Sequence, residues 1–161
     1  MAARVPEGPR VRVAALMLLD HKVVLVRHRS SASTYYLLPG GGVGYRETLE
    51  DALIREVDEE TGLLARIGNP VFVSDTIDPN GPRHVVNVTF LATIVGGQIS
   101  DSPRDSRVES VELFDPVALA GLDLRPPMAD AIVGVLSQGD CCARYLGSLF
   151  RDPPTNDGPD A

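Results

Sequence analysis

The chain has 161 residues, of which 43% are hydrophobic and 23% are charged, and its formal net charge is −7. These proportions are typical of a single globular domain with a substantial core, and they exclude a wholly disordered chain. The negative charge argues against binding to a nucleic-acid polymer or to an anionic membrane surface. A phosphate-bearing ligand would need a cation or a local group of arginines, since Lys22 is the only lysine.

Two further features of composition limit the class of protein. No apolar run reaches the roughly 18 residues that a membrane span requires. Cys141 and Cys142 are adjacent, which suits neither a disulfide framework nor a zinc site with spaced cysteines. We interpret them as packing residues near a helix end, with a reactive thiol as the alternative. The expected compartment is the reducing cytoplasm.

The order of predicted elements indicates one α/β domain over residues 10–150, between a flexible N-terminus (1–9) and a Pro/Asp-rich tail (151–161) that we expect to be disordered. Apolar and β-branched runs predict strands at 11–19, 23–29, 35–38, 71–77, 85–95 and 108–114. Helices are predicted at 49–61 and 126–137. This order predicts a mixed β-sheet with helices packed on it.

The first predicted helix has a clear start and a clear end. Thr48 and Asp51 fit a capping pair in which the Thr48 hydroxyl accepts from the backbone N–H of Asp51. Gly62 stands where a residue in the left-handed conformation would end the helix. The helix is therefore expected to begin at residue 49 and to end at residue 61.

Three glutamates on this helix are arranged as a ligand set would be. At about 100° per residue, Glu56, Glu59 and Glu60 continue the apolar stripe that faces the sheet. A solvated acidic face is the ordinary interpretation of such a run, because glutamate is rarely buried. Pairs of like charges at these spacings destabilise a helix by about 0.2–0.5 kcal/mol per pair. The negative end of the helix dipole, at the C-terminus, destabilises each glutamate by about 0.3–1 kcal/mol more. An inward cluster of this kind predicts a cation with oxygen ligands, Mg²⁺ or Mn²⁺, with calcium as a weaker alternative.

A glycine run directly before the helix supports the same interpretation. Gly40, Gly41 and Gly42 allow bare backbone to approach a ligand closely. Their carbonyl groups can contact a metal ion, and their N–H groups can face phosphate. The run alone is a weak signal, since many turns are rich in glycine, but it becomes informative beside the glutamates.

Together these residues resemble a known family. Gly41, Glu47 and the segment 55–63 (REVDEETGL) reproduce the Nudix box, G-x₅-E-x₇-R-E-U-x-E-E-x-G-U, in which U is apolar. The resemblance to Nudix hydrolases extends over about residues 10–138 and implies an α/β/α sandwich with a loop–helix–loop metal site. Arg46 departs from the common form, since many members have glycine there, but it lies at an unspecified position of the box.

The resemblance also implies roles for individual residues. Glu56, Glu59 and Glu60 are similar to the metal ligands of the family, with the Gly40 carbonyl as a further ligand. Arg55 matches the arginine that orients these carboxylates, with Glu47 as its partner. Glu109 precedes the last strand, where several members carry an extra catalytic acid; an acid on a solvated edge strand is the alternative.

Substrate contacts are less sharply specified by the sequence. The expected substrate-binding residues are Arg27, Arg29, Gly41, Gly42 and Arg83. Arg27 and Arg29 alternate onto one face of their strand, as phosphate-binding arginines of the family often do, although surface charges show the same pattern. We expect a small nucleotide as the partner and leave open whether the chain forms a homodimer.

The favoured activity is Mg²⁺- or Mn²⁺-dependent hydrolysis of a nucleoside diphosphate linked to another group, either ADP-ribose or a nucleotide sugar. Members that hydrolyse ADP-ribose tend to carry a proline about sixteen residues after the box, and Pro79 occupies that position here. The first alternative is a nucleoside-triphosphate pyrophosphohydrolase that removes damaged nucleotides such as 8-oxo-dGTP. The second is a non-catalytic nucleotide-binding module, which would be expected to have lost metal glutamates.

Overall fold

The computed structural model describes residues 8–139 and 142–152, so the predictions for residues 1–7, Cys141 and 153–161 lie outside the described part. This part contains strands β1 (Arg10–Leu16), β2 (Leu18–Leu19), β3 (Lys22–Arg29), β4 (Thr34–Leu37), β5 (Gly40–Gly42), β6 (Leu63–Ile77), β7 (His84–Gly97), β8 (Val108–Phe114) and β9 (Arg144–Ser148). Its helices are α1 (Leu49–Thr61), α2 (Ala129–Gln138) and a 3₁₀ helix at Pro116–Gly121. None of the helices described is long and apolar enough to cross a membrane.

The strands form two sheets. The larger has the order β5-β1-β7-β6-β9 and is mixed, because β1 is parallel to β7 and β9 is parallel to β6, whereas the other pairs are antiparallel. The smaller is antiparallel and contains β2, β3 and β4, with β8 on the other side of β3. The predicted mixed sheet is confirmed, and the second sheet is an addition to it.

Strand β1 shows how the layers are built. Its alternate side chains point to opposite faces, as in any strand. Val13 and Ala15 pack in the core beneath α1, whereas Ala14 and Leu16 pack in the core that includes Ile132 of α2. The larger sheet therefore lies between two helices, which confirms the α/β/α sandwich.

Three details of the fold differ from the predictions. Strand β6 begins at Leu63, directly after α1, rather than at residue 71. The register of β6 with β7 shifts on both sides of Pro70, because proline has no N–H to donate to the neighbouring strand. The sequence of this irregular stretch is typical of a loop, so the strand was predicted to begin only after it. The glycine run forms the short edge strand β5 instead of a loop. Strand β9, which was not predicted, is ordered by parallel pairing with β6.

Candidate active site

The ends of α1 fix the position of the acidic residues. The backbone N–H of Asp51 donates to the Thr48 hydroxyl at 3.1 Å, which is the predicted cap. Gly62 adopts φ 75° and its N–H donates to the carbonyl of Asp58. Because both predicted boundaries are confirmed, the side chains of Glu56 and Glu60, one turn apart, lie on the face toward the sheet.

Glu56 and Glu60 are buried beside the glycine strand. The residues are 7% and 1% exposed, whereas the Glu59 side chain is 38% exposed. The Glu60 carboxylate accepts from the Gly40 N–H at 2.8 Å. The Glu56 carboxylate lies against Gly41 so closely that a Cβ at residue 41 would be 2.2 Å from the Glu56 carboxyl carbon. Residue 41 must therefore be glycine, because any side chain there would collide with the Glu56 carboxylate.

Arg55 holds Glu56 in place through a network of ion pairs. Its Nε and Nη2 donate to the two carboxylate oxygens of Glu47 at 2.8 and 2.9 Å, and its Nη1 donates to Glu56 at 2.8 Å. The hydrogen bonds to Glu47 and then Glu56 raise the pKa of Arg55. The Arg55 hydrogen bond, followed by the Gly44 N–H, lowers the pKa of Glu47 to about 2. The structure thus brings together the pair implied by the family resemblance, and this pair restrains Glu56 from one side.

A third carboxylate, which the sequence did not single out, completes the group. Oxygen atoms of Glu56, Glu60 and Asp105 all lie within 4.8 Å of one another. Carboxylate oxygens are the ligands that hard divalent cations prefer. The set therefore fits a divalent metal ion by its chemistry. In sequence, Asp105 is one of two aspartates in a polar loop and looks no different from Asp101.

The loop between β7 and β8 brings Asp105 to the helix by hydrogen bonding to the C-terminal end of α1. The N–H groups of Ser100 and Arg104 donate to the carbonyls of Thr61 and Glu59, each at 2.9 Å. These carbonyls belong to the last turn, where no intrahelical partner is available. The Arg104 guanidinium also pairs with Asp58. We call this set of contacts the loop clamp. It places Asp105 beside Glu56 and Glu60 without any contribution from a ligand.

Burial and mutual repulsion disfavour negative charge in this group of carboxylates. Burial raises the pKa of Glu60 to about 7, and the charges of Glu56 and Asp105 act in the same direction, against the Gly40 N–H and Arg12. Asp105 is held ionised, because its hydrogen bond from Arg107 lowers its pKa. A bound cation would relieve both the burial cost and the repulsion at Glu60.

The structure places Glu109 in a different group. Its carboxylate pairs with Arg27 Nε at 3.1 Å and with Arg29 Nη2 at 2.7 Å, and Arg27 also reaches Glu112 at 3.4 Å. Among the residues described, Glu109 is not part of the carboxylate group of Glu56, Glu60 and Asp105. Arg83, in the turn between β6 and β7, forms no ion pair among the residues described.

The fold and site define a class of metal-assisted hydrolases, and comparison with known proteins identifies the family. The profile of the NUDIX domain matches residues 8–134. The chain belongs to the NUDIX family and is a pyrophosphohydrolase. Members of this family generally use a divalent metal ion, in agreement with the carboxylate group.

Among its relatives, the ADP-ribose pyrophosphatase of Methanocaldococcus jannaschii is 32% identical over 115 residues, which are 70% of this chain and 67% of that protein. A crystal structure of a MutT NUDIX hydrolase from Burkholderia pseudomallei is 30% identical, with a TM-score of 0.62, over 83% of this chain and 100% of that one. A UDP-X diphosphatase structure, 20% identical with a TM-score of 0.68, covers 86% of this chain and 66% of that one. The last similarity shows the fold alone.

Proposed function

We propose that this enzyme hydrolyses the phosphoanhydride bond of a nucleoside diphosphate linked to a sugar, with ADP-ribose or a nucleotide sugar as substrate and Mg²⁺ or Mn²⁺ as cofactor. The observation that carries the proposal is the convergence of Glu56, Glu60 and Asp105 beside the glycine strand, where Glu60 binds the Gly40 N–H. The 32% identity to an ADP-ribose pyrophosphatase supports this substrate class. The cytoplasm is the proposed compartment, and the homodimer stays a prediction.

In this proposal the ion is held by Glu56, Glu60 and Asp105, with the Gly40 carbonyl and Glu59 as further ligands. Glu59 is half exposed and its one described ion pair, to Arg55, is long at 3.5 Å, so it can turn toward a ligand at little cost. When bound, a divalent ion polarises the phosphates and makes a nearby water more acidic. Arg55 keeps Glu56 in position throughout, because Glu47 restrains its guanidinium at two oxygens.

The protein's own part in catalysis is to position the diphosphate and neutralise its charge, which is the main requirement of phosphoryl transfer. Gly41 and Gly42 are proposed substrate contacts through their backbone, since the Glu56 carboxylate fills the space where a side chain at residue 41 would stand. Arg27 and Arg29 are proposed substrate contacts whose positions Glu109 fixes. Arg83 is proposed as a further phosphate contact, because no described carboxylate neutralises it.

Replacing Asp105 with asparagine should lower kcat by roughly tenfold or more, which corresponds to about 1.4 kcal/mol of barrier. The reason is that asparagine keeps the shape of the side chain but loses the negative charge that faces the ion. The measurement is steady-state hydrolysis at saturating Mg²⁺, with Asp101→Asn as the control from the same loop. If Glu109→Gln has the larger effect and Asp105→Asn changes kcat by less than about threefold, then the extra acid is Glu109.

The substrate is tested by comparing kcat/KM for ADP-ribose, several nucleotide sugars, the common nucleoside triphosphates and 8-oxo-dGTP under one metal condition. We expect a diphosphate-linked sugar to be preferred and to yield a nucleoside monophosphate and a sugar phosphate. Tyr35 and Tyr36 of β4 are the aromatic residues that could stack on a base, and both already have partners. Arg125 lies over the Tyr35 ring at 4.3 Å, and Tyr36 packs edge-on against Phe114. A preference of about tenfold or more for a triphosphate would replace this substrate class while leaving the metal chemistry unchanged.

A further inference from the structure

Arg12 is a charged residue at the start of an otherwise apolar stretch of β1. Its side chain is partly buried, and its Nη2 donates to the carbonyl of Leu38 at 2.9 Å and to that of Gly40 at 3.4 Å. Within residues 8–139 and 142–152, no carboxylate forms an ion pair with it, and Nε and Nη1 have no hydrogen-bond acceptor. A desolvated guanidinium without a counter-ion is costly, so the residue calls for an explanation.

Hydrogen bonds place Arg12 beside the carboxylate group, because Gly40 accepts from Arg12 through its carbonyl and donates to Glu60 through its N–H. Burial lowers the pKa of its guanidinium, Arg83 and Arg107 act in the same direction, and Glu60 and Glu56 oppose them. Arg12 therefore lies within electrostatic range of both buried glutamates and of two other arginines. Arg107 is neutralised by Asp105, whereas Arg12 and Arg83 are not. A bound cation would satisfy the glutamates and leave these two positive charges without partners.

The unused nitrogens of Arg12 are open to a ligand. Among the described residues, no nitrogen of Arg12 is a wholly buried polar atom without a hydrogen-bond partner, so its free N–H groups are not sealed inside the protein. Arg12 also lines a cavity about the size of one water molecule on the α2 side of the larger sheet, together with Asn87, Thr89 and Arg125. Its Nη2 contacts to two backbone carbonyls hold the guanidinium in place, and hence preorganised, at the rim of the carboxylate group.

We propose that Arg12 is a phosphate-binding residue that, with Arg83, holds a phosphate of the substrate's diphosphate. The free Nε and Nη1 N–H groups of Arg12 can each donate a charge-assisted hydrogen bond to a phosphate oxygen. This role for Arg12 rests on the proposed function, because it assumes that the substrate contains the diphosphate that is cleaved. It adds that the diphosphate is bound between the carboxylate-held ion on one side and Arg12 on the other.

The test uses methylenediphosphonate, a diphosphate analogue that cannot be hydrolysed and carries no nucleoside or sugar. Its Kd is measured by calorimetry with the full chain and excess Mg²⁺, for the unmodified protein, Arg12→Ala and Arg12→Gln. The matched control is Arg10→Ala, which removes an exposed arginine two residues away on the same strand. Both Arg12 variants should raise Kd roughly tenfold or more, as expected for a lost charge-assisted hydrogen bond. The control should stay within about twofold.

The glutamine variant separates phosphate binding from a purely structural role. Glutamine keeps an amide group at about the position of the Arg12 Nε, so this variant retains a polar, uncharged side chain at the partly buried position where alanine leaves none. The proposal is overturned if Arg12→Gln leaves the Kd of the analogue unchanged, if the unmodified protein does not bind the analogue, or if the Arg12 variants lose Mg²⁺ affinity to the same extent. If the proposed substrate class is wrong, the enzyme will not hydrolyse diphosphate-linked sugars. The Arg12 variants will still raise the Kd of the analogue in that case, so the two failures can be told apart.

Discussion

Replacing Glu60 with glutamine should reduce kcat on the order of a hundredfold or more while leaving the fold in place. Glutamine has nearly the same shape and its amide oxygen can still accept from the Gly40 N–H, so packing is retained. The negative charge that holds the ion is lost. The matched control is Glu50→Gln, since Glu50 lies on the exposed face of the same helix. A folded Glu60→Gln variant with nearly full activity would show that this carboxylate does not serve the metal.

The same variant should change how stability depends on pH when metal is removed by a chelator. The pKa of Glu60 rises from its ordinary 4.5 to about 7 on folding, mainly through burial. Between these values the folded state keeps a proton that the unfolded state has lost. The free energy of unfolding therefore falls as pH rises through this window, by roughly 3 kcal/mol from this group.

Urea unfolding at about pH 5 and about pH 8 measures this effect. From the lower to the higher pH, the free energy of unfolding should fall more for the unmodified protein than for Glu60→Gln. At the higher pH, the variant should have the larger free energy of unfolding. Saturating Mg²⁺ or Mn²⁺ should also stabilise the unmodified protein, because the ion binds only to the folded state. Equal pH dependence in the two proteins would contradict the strained burial of Glu60.

Replacing Gly41 with alanine should lower kcat on the order of a hundredfold, because the new Cβ would be 2.2 Å from the carboxyl carbon of Glu56. The carboxylate must move by an ångström or more, and a displacement of that size in a catalytic group costs about this much. The affinity for Mn²⁺ should fall together with kcat, which a calorimetric titration measures.

The matched control for this variant is Gly121→Ala, where an added Cβ meets nothing within 4 Å. Its kcat and Mn²⁺ affinity should stay close to those of the unmodified protein. If Gly41→Ala keeps its Mn²⁺ affinity and loses only activity, then the glycine serves the substrate rather than the position of Glu56.

The parts of the site that could be predicted from sequence are those set by local geometry. The caps at Thr48 and Gly62 fix the helix, and its period of 3.6 residues then determines which glutamates face inward. Glu59 was predicted on the same stripe, but its side chain is half exposed instead. The pairing of Arg55 with Glu47 spans eight residues and is also specified within one motif.

The parts that could not be predicted depend on contacts between distant segments. Asp105 reaches the site because its loop hydrogen-bonds to the end of a helix more than forty residues earlier. Arg12 is an ordinary strand-end charge in sequence, and it becomes part of the site when β5 pairs with β1 and brings the Leu38 and Gly40 carbonyls within its reach. Strand β9 exists through its pairing with β6, since its sequence has little strand character of its own.

The loop clamp has a consequence for how the site can move. Since the Ser100 and Arg104 amides occupy the carbonyls of Thr61 and Glu59, displacing the loop would uncap α1 and loosen the turn that carries Glu59 and Glu60. Loop and helix end therefore form one cooperative unit, in which an opening motion would dismantle the carboxylate group.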